Sequence, residues 1–269
     1  MNPRDPSHRE TAEAWDVVAR ARYREEFADH VAHLRAGRHD LLEPEAEVLL
    51  PLLPGAHVVH LQCSHGLDAL GLLNAGAASV LGVDISGEMI AQARATAEAV
   101  GARSASFLRC DVVELPTALA GTADLVYTGK GSLPWILDLG AWGHSVARLL
   151  RPRGHIFLFE GHPLAALWDR EADGLQIRDD ASYFETEATE HPGFPARVVR
   201  NETGSDRPRM MERFWRPGEV MDSLIPAGLT IRMFREDPLL YWEQFPHWPE
   251  ELRERLPNSY AILARRREE

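Results

Sequence analysis

The stretch Val58–Leu70, VVHLQCSHGLDAL, decides how this chain is read. It opens as a short apolar run with β-branched residues, turns sharply through a polar loop, and enters an amphipathic helix at Leu67. A strand that feeds a helix through a tight turn is the opening move of a βαβ unit, in which the next strand returns parallel to the first. Gly66 supplies the backbone freedom for the turn, and the first helical N–H groups have no partner within the helix. Such a terminus suits a carboxylate or a phosphate.

Working outward, the alternation repeats. Strands are predicted at 79–83, 105–108, 123–127 and 155–159, with helices over 67–74, 88–100 and 138–150. Strands alternating with helices across short turns imply a parallel sheet covered on both faces, with right-handed crossovers. Upstream, Trp15, Val18, Tyr23, Phe27, Val31 and Leu34 recur at helical spacing over 8–36, and a short helix is expected over 43–50. Downstream, 161–215 breaks the rhythm with prolines, glycines and alternating runs such as MERFW, and reads as a cap with some antiparallel strand. A helix from Pro217 to Ala227 and strands at 229–234 and 259–264 then complete the sheet. The expected organisation is a helical lid over 1–54, a core over 55–160, a cap insertion over 161–215 and a return to the sheet over 216–269.

Composition narrows the chemistry. The 269 residues are 45% hydrophobic and carry a formal net charge of −12, a surface that repels phosphate backbones and makes nucleic acid an unpromising partner. No apolar run is long enough for a membrane span, and MNPRDPSHRE lacks an apolar signal core, so a cytoplasmic location is expected. Two cysteines, Cys63 and Cys110, make no disulfide framework. His60, Cys63 and His65 lie close in sequence, but a strand-to-loop bend points them apart, and no metal site is expected.

In a doubly wound sheet the ligand sits outside the carboxyl ends of the strands. The second strand ends in LGVDIS, and Asp84 follows Gly66 by 18 residues, where a carboxylate can accept from the vicinal hydroxyls of a ribose. The third ends in FLRCDVVELP, where Asp111 is an acceptor for an adenine amino group and the Val112 N–H a donor to a ring nitrogen. Each aspartate alone also reads as a turn or cap residue; at the ends of adjacent strands the two describe a nucleoside pocket. The fourth ends in DLVYTGKGSLPW, where Thr128, Gly129 and Gly131 allow close approach of backbone to ligand and Lys130 reads equally well as a solvated side chain.

The order VVHLQCSHG, LGVDIS, RCDVVELP, DLVYTGKG, LLRPRGHIFLFEGHPL, with GEVMDSLIPAGLTI near the end, resembles the motif series of class I S-adenosylmethionine-dependent methyltransferases. The resemblance is strongest over 55–162 and extends to a bacterial small-molecule branch with an HLQC first loop and a WD…Y pattern, here Trp15, Asp16 and Tyr23. It implies a Rossmann-like, doubly wound, mostly parallel sheet of seven strands with a C-terminal antiparallel hairpin, and S-adenosyl-L-methionine as cofactor. Carried over, it assigns the methionine end to Gln62, Cys63, Ser64 and Gly66, the ribose to Asp84, adenine packing to Ile85 and Met89, the adenine edge to Asp111 and Val112, and the sulfonium surroundings to Thr128 and Gly129. Tyr23 would close over the methionyl carboxylate. Two departures stand out: His60 occupies the usual acidic position, and Gln62 and Ser64 replace glycines.

Where the acceptor needs a base, Glu160 and His162 in FEGHP stand after the fifth strand, with His65 as second choice. Tyr23 is also carried as a catalytic candidate. Trp15, Trp135, His162, Tyr183, Phe184 and Trp215 are the acceptor-side candidates; with Trp168, Phe194 and Phe214 the cap is rich in aromatic residues, which favours an aromatic or apolar natural-product acceptor from secondary metabolism, and C-, N- and O-methylation all remain open. The expected partner is that small molecule, with a homodimer as an option. Two other readings stay open: a protein that binds the cofactor without methylating, motivated by the altered first loop, and an NAD-dependent oxidoreductase, which predicts a glycine fingerprint that HLQCSHG lacks.

Overall fold

The structure is a computed structural model and describes residues 6–191, 209–242 and 244–268; the side chains of 6, 7 and 21–25 lie outside that description, as do Phe194 and the Tyr23 side chain. Five strands follow the predicted rhythm: β1 (His57–Leu61), β2 (Ser79–Asp84), β3 (Ala105–Arg109), β4 (Ala123–Gly129) and β5 (Leu150–Gly161). Their helices are α3 (Leu67–Asn74), α4 (Gly87–Val100) and α5 (Leu139–Leu149), preceded by α1 (Pro6–Arg35) and α2 (Glu43–Leu49). A two-stranded ribbon, β6 (Thr189–Glu190) with β7 (Met211–Glu212), lies in the cap. The chain then returns through α6 (Pro217–Leu224), β8 (Leu229–Asp237), α7 (Glu250–Arg253) and β9 (Ser259–Arg266).

The main sheet runs β3-β2-β1-β4-β5-β9-β8. Pairings among β1 to β5 are parallel, and β9 pairs antiparallel with both β5 and β8, so six strands share one direction and β9 opposes them. The expected C-terminal hairpin is therefore present. The expected helix to Ala227 stops at Leu224: Ile225 is its C-cap and keeps right-handed geometry, but Pro226 has no N–H with which to extend the ladder. In the cap, MERFW contributes strand only at Met211–Glu212.

Period-two alternation places the core on both faces of the sheet. Val59, Leu61, Val126, Ile156 and Leu158 face one way, onto Trp142, Val146, Val220 and Leu224 of α5 and α6. Val58, Leu125, Tyr127, Phe157 and Phe159 face the other, onto Leu49, Leu70, Ile90 and Ala93 of α2, α3 and α4. Full burial of each large side chain contributes roughly 1.5–3 kcal/mol, so two such layers hold the strand ends, and the loops on them, rigidly in place.

Helices α5 and α6 meet at a glycine: a Cβ on Gly143 would lie 2.4 Å from the Ser223 carbonyl oxygen. Gly143→Ala gains up to about 1 kcal/mol in helix propensity, but the backbone clash forces the two helices apart and overpacking costs about 1–3 kcal/mol. The expected outcome in urea unfolding is a net loss of stability of about 1–2 kcal/mol.

Candidate functional site

The carboxyl ends of β1, β2 and β4 converge on one edge of the sheet. The first loop keeps a left-handed backbone at three alternate positions, Gln62 (φ 54), Ser64 (φ 51) and Gly66 (φ 86). For Gln62 and Ser64 that conformation costs about 1–2 kcal/mol each, so the loop retains the shape of a glycine-rich turn without its glycines. Gly66 itself is required on packing grounds as well, since a Cβ there would come within 2.7 Å of Ala93 Cβ. Cys63 turns inward: its side chain is buried among the α3 and α4 packing residues, with the thiol held protonated by burial and the nearby Asp84. Its backbone remains in the loop, and its N–H donates to the Val83 carbonyl.

Asp84 is the hub. One carboxylate oxygen accepts from the Ser64 N–H at 2.8 Å and the other from the Ser86 N–H at 2.9 Å. Burial pushes its pKa up to about 6, although both backbone N–H groups favour the ionised form. A carboxylate offers about four lone-pair sites, so acceptor capacity remains at each oxygen for a pair of hydroxyls. Met89 is buried beside it, with its sulfur 3.4 Å from Ser64 Oγ, and Ile85 is half-buried at the head of α4. Asp111 stands at the end of β3 with one oxygen on the Val113 N–H at 3.1 Å, and Val112 is buried next to it. Asp84 and Asp111 are thus the carboxylates at the ends of adjacent parallel strands, with Asp84 opposite Arg109 in the register.

Helix α1 closes onto these residues. Asp16 Oδ1 accepts from Ser86 Oγ at 2.5 Å and from the Glu88 N–H at 3.0 Å, His8 Nδ1 lies 2.5 Å from Asp111 Oδ2, and His30 stacks on His65 at 4.7 Å. None of these contacts was legible from spacing, because each spans a long sequence separation; the helical stripe alone indicated that α1 has a buried face.

Below the first loop lies a charged network that the sequence did not reveal. Lys130, for which a solvated side chain is one of two readings, is half-buried and donates to Asp68 Oδ1 at 2.8 Å and to the Asp40 carbonyl at 2.9 Å, with Glu45 at 3.4 Å. Burial works against its charge, but Asp68 and Glu45 outweigh it and raise its pKa. Tyr127 donates to Glu45, and His60 packs on Tyr127 at 4.6 Å. Burial, reinforced by Lys130 and opposed by Asp68, brings His60 down to about 4, so the usual acidic position carries a neutral ring at neutral pH.

At the end of β4, Thr128 Oγ1 lies 2.9 Å from Ser132 Oγ and Gln62 Nε2 donates to the Ser132 carbonyl at 2.6 Å, tying the first and fourth loops together. Gly129 is unavoidable: a Cβ would sit 2.1 Å from the Phe159 carbonyl oxygen. Glu160 is committed to this loop. It accepts from the N–H groups of Gly131, Ser132 and Leu133 at 2.5, 2.8 and 2.9 Å and from its neighbour Gly161 at 2.8 Å, which leaves it a staple instead of an accessible base. His162 is buried, with Nδ1 accepting from the Leu164 N–H at 3.2 Å and Nε2 facing Glu236 at 3.1 Å, so both nitrogens are engaged. Trp215, expected against the acceptor, is a core residue whose indole N–H donates to the Ile136 carbonyl at 2.8 Å. Tyr183 and Phe184 pack edge to face at 5.4 Å, and Phe184 is 69% exposed on the cap. Trp15 and Trp135 do meet, edge to face at 5.3 Å, where α1 crosses the fourth loop.

Among the described residues, no group of three or more His, Cys, Asp or Glu could hold a metal ion, and no helix is long and apolar enough to cross a membrane. Residues 58–154, from β1 into β5, match the model of the methyltransferase domain family. Within this chain the match marks residues 58–154 as a methyltransferase domain. The chain is similar in fold to an S-adenosylmethionine-dependent methyltransferase from Mesorhizobium loti, at 23% identity and a TM-score of 0.60 over 83% of this chain and 96% of that one. One from Methanosarcina mazei shares 18% identity at a TM-score of 0.58 over 86% and 100% of the two chains. A structure concerned with converting a disulfide bond into a thioacetal group during echinomycin biosynthesis aligns at 20% identity and a TM-score of 0.54 over 82% and 79%. No curated protein sequence matches the chain.

S-adenosyl-L-methionine is the cofactor that such a domain and fold imply, and the residues present fit its nucleoside: two strand-end carboxylates, a buried methionine beside the first loop, and a turn with three left-handed residues. The site predicts its own pH dependence. Hydroxyl donors favour the ionised carboxylate, so S-adenosylhomocysteine should bind more tightly as pH rises through about 6, the value to which burial lifts Asp84. Isothermal titration across that range should show the rise, and Asp84→Asn should flatten it and weaken binding by at least about tenfold, the scale of a lost charged hydrogen bond.

Proposed function

We propose that the methyltransferase acts on a small aromatic or apolar acceptor of natural-product type. The observation that carries this reading is the Trp15–Trp135 pair, an aromatic corner between α1 and the fourth loop, which the cap extends through His191 at 5.3 Å from Trp135. Flat apolar faces beside a cofactor cleft favour a flat, poorly hydrated partner over a sugar. A neighbour of the same fold takes part in echinomycin biosynthesis, where the fold serves natural-product chemistry.

In this reading Asp84, Ile85, Met89, Asp111 and Val112 hold the nucleoside, and the loop Gln62–Gly66 holds the methionine end through its backbone. Thr128 and Gly129 border the sulfonium. Bound there, the cofactor supplies a methyl group already activated as an electrophile. The protein's contribution is then placement of the nucleophile in line and exclusion of water, which in favourable cases is worth about 7–11 kcal/mol. Residues 1–54 act as a lid, since Asp16 and His8 fasten α1 over the pocket, and 161–215 act as the acceptor cap. Glu160 and His162 serve as positioning residues, the first holding the fourth loop and the second the corner after β5. Their commitments within the protein support that role over proton transfer.

The test is a panel of phenols, indoles and aryl amines set against sugars and short peptides, with S-adenosylhomocysteine release as the readout. Turnover should be confined to the aromatic members. Trp135→Ala should raise the acceptor KM about fivefold, the worth of roughly 1 kcal/mol of aromatic contact, while leaving S-adenosylhomocysteine affinity unchanged. Preference for sugars, or cofactor binding with no transfer to any acceptor, would reject the reading.

A further inference from the structure

With Glu160 and His162 engaged inside the protein, the proton of a hydroxyl or amine acceptor needs another destination. The cap ribbon offers one. Thr189 pairs with Glu212 and Glu190 with Met211, and the His191 N–H donates to the Met210 carbonyl at 2.7 Å. Side chains alternate across a strand, so Glu212, Thr189, His191 and Met210 share one face of the ribbon. That face is turned towards the loop after β4: His191 packs on Trp135 at 5.3 Å, Met210 is buried, and the Arg213 N–H donates to the Pro134 carbonyl at 2.9 Å. Trp135 in turn meets Trp15, which precedes Asp16, the residue bonded to Ser86 beside Asp84.

Glu212 therefore stands on the ribbon face that packs against the loop after β4, beside the Trp135 and Trp15 corner. Among the described residues no hydrogen bond or ion pair engages its carboxylate. Burial pushes its pKa up to about 7, against the pull of Arg170 and Arg178. His191 beside it is brought down to about 4 by burial and then by Arg170, so it presents a neutral ring.

We propose that Glu212 is the catalytic residue that accepts the acceptor's proton, taken from a hydroxyl or amine whose aromatic body packs against Trp15, Trp135 and His191. The inference rests on the methyl-transfer reading above. The acceptor's lone pair forms the new bond to the methyl carbon, the carbon–sulfur bond breaks with its electron pair moving to sulfur, and the O–H or N–H proton passes to the Glu212 carboxylate. A base that titrates near neutrality is ionised enough to act and basic enough to hold the proton.

The experiment compares wild type with Glu212→Gln, using 2-naphthol and tryptamine as acceptor probes on the S-adenosylhomocysteine-loaded protein, followed by methyl-transfer rates against pH. S-adenosylhomocysteine affinity should be the same in both proteins, which also shows that the variant is folded. Probe affinity should fall about tenfold, and kcat by at least about a hundredfold, the lower end for loss of a general base. The wild-type rate should rise with pH through about 7, and that limb should vanish in the variant. Equal probe binding and equal pH profiles in the two proteins overturn the proposal, as does a loaded wild type that binds neither probe. A wild type that does not bind S-adenosylhomocysteine overturns the cofactor reading instead, and this inference with it.

Discussion

The Asp84 carboxylate is the constraint on which the rest of the site depends. It is buried at the end of β2 and holds two backbone N–H groups from different loops, Ser64 after β1 and Ser86 before α4. Each is a hydrogen bond to a charged group, worth about 1.5–3 kcal/mol, and together they fix the first loop relative to the second. The strained Gln62 and Ser64 backbones lie in that first loop. Strain of this kind persists only where the surroundings over-determine it; here the carboxylate and the close approach of Gly66 to Ala93 supply that determination.

Around this hub the protein repeats one device, a buried carboxylate accepting from backbone N–H groups. Glu160 does for the fourth loop what Asp84 does for the first, with four backbone donors converging on it. Asp16 applies the device across elements, bringing α1 to the N-terminus of α4, where a negative charge also meets the positive end of the helix. The result is a set of strand-end loops held rigidly, with α1 fastened onto them by a few polar contacts. In the proposed function, such a division suits holding a nucleoside firmly while still admitting and releasing an acceptor.

The first loop shows how a departure from the pattern it resembles is absorbed. A neutral, buried His60 stands where a carboxylate is usual, and the nearby negative charge of Asp68 is already matched by Lys130. The Lys130, Asp68, Glu45 and Tyr127 network joins α2, α3 and β4 beneath the loop. Removing one partner would leave the others buried and uncompensated, a loss of the kind that runs to several kcal/mol. The network therefore ties the helical entry segment to the sheet, a duty no single-residue reading of Lys130 conveyed.

Much of this was written in local pattern. Alternation along β1, β4 and β5, the glycines at turns and the aspartates after β2 and β3 are short-range signals, because strand pleat and turn geometry act over a few residues, and they sufficed for the parallel order, the C-terminal hairpin and the placement of two aspartates at the ends of adjacent strands. What only the tertiary structure decided is which polar atoms were already occupied. Glu160, His162, Trp215 and Lys130 all looked available along the chain; the first meets donors 27–29 residues away, the second Glu236 at 74, Trp215 a carbonyl at 79 and Lys130 partners at 62 and 90. Residue type and spacing report what a side chain is able to do. Whether it is still unengaged depends on the groups that burial forces against it, and these are drawn from distant parts of the chain.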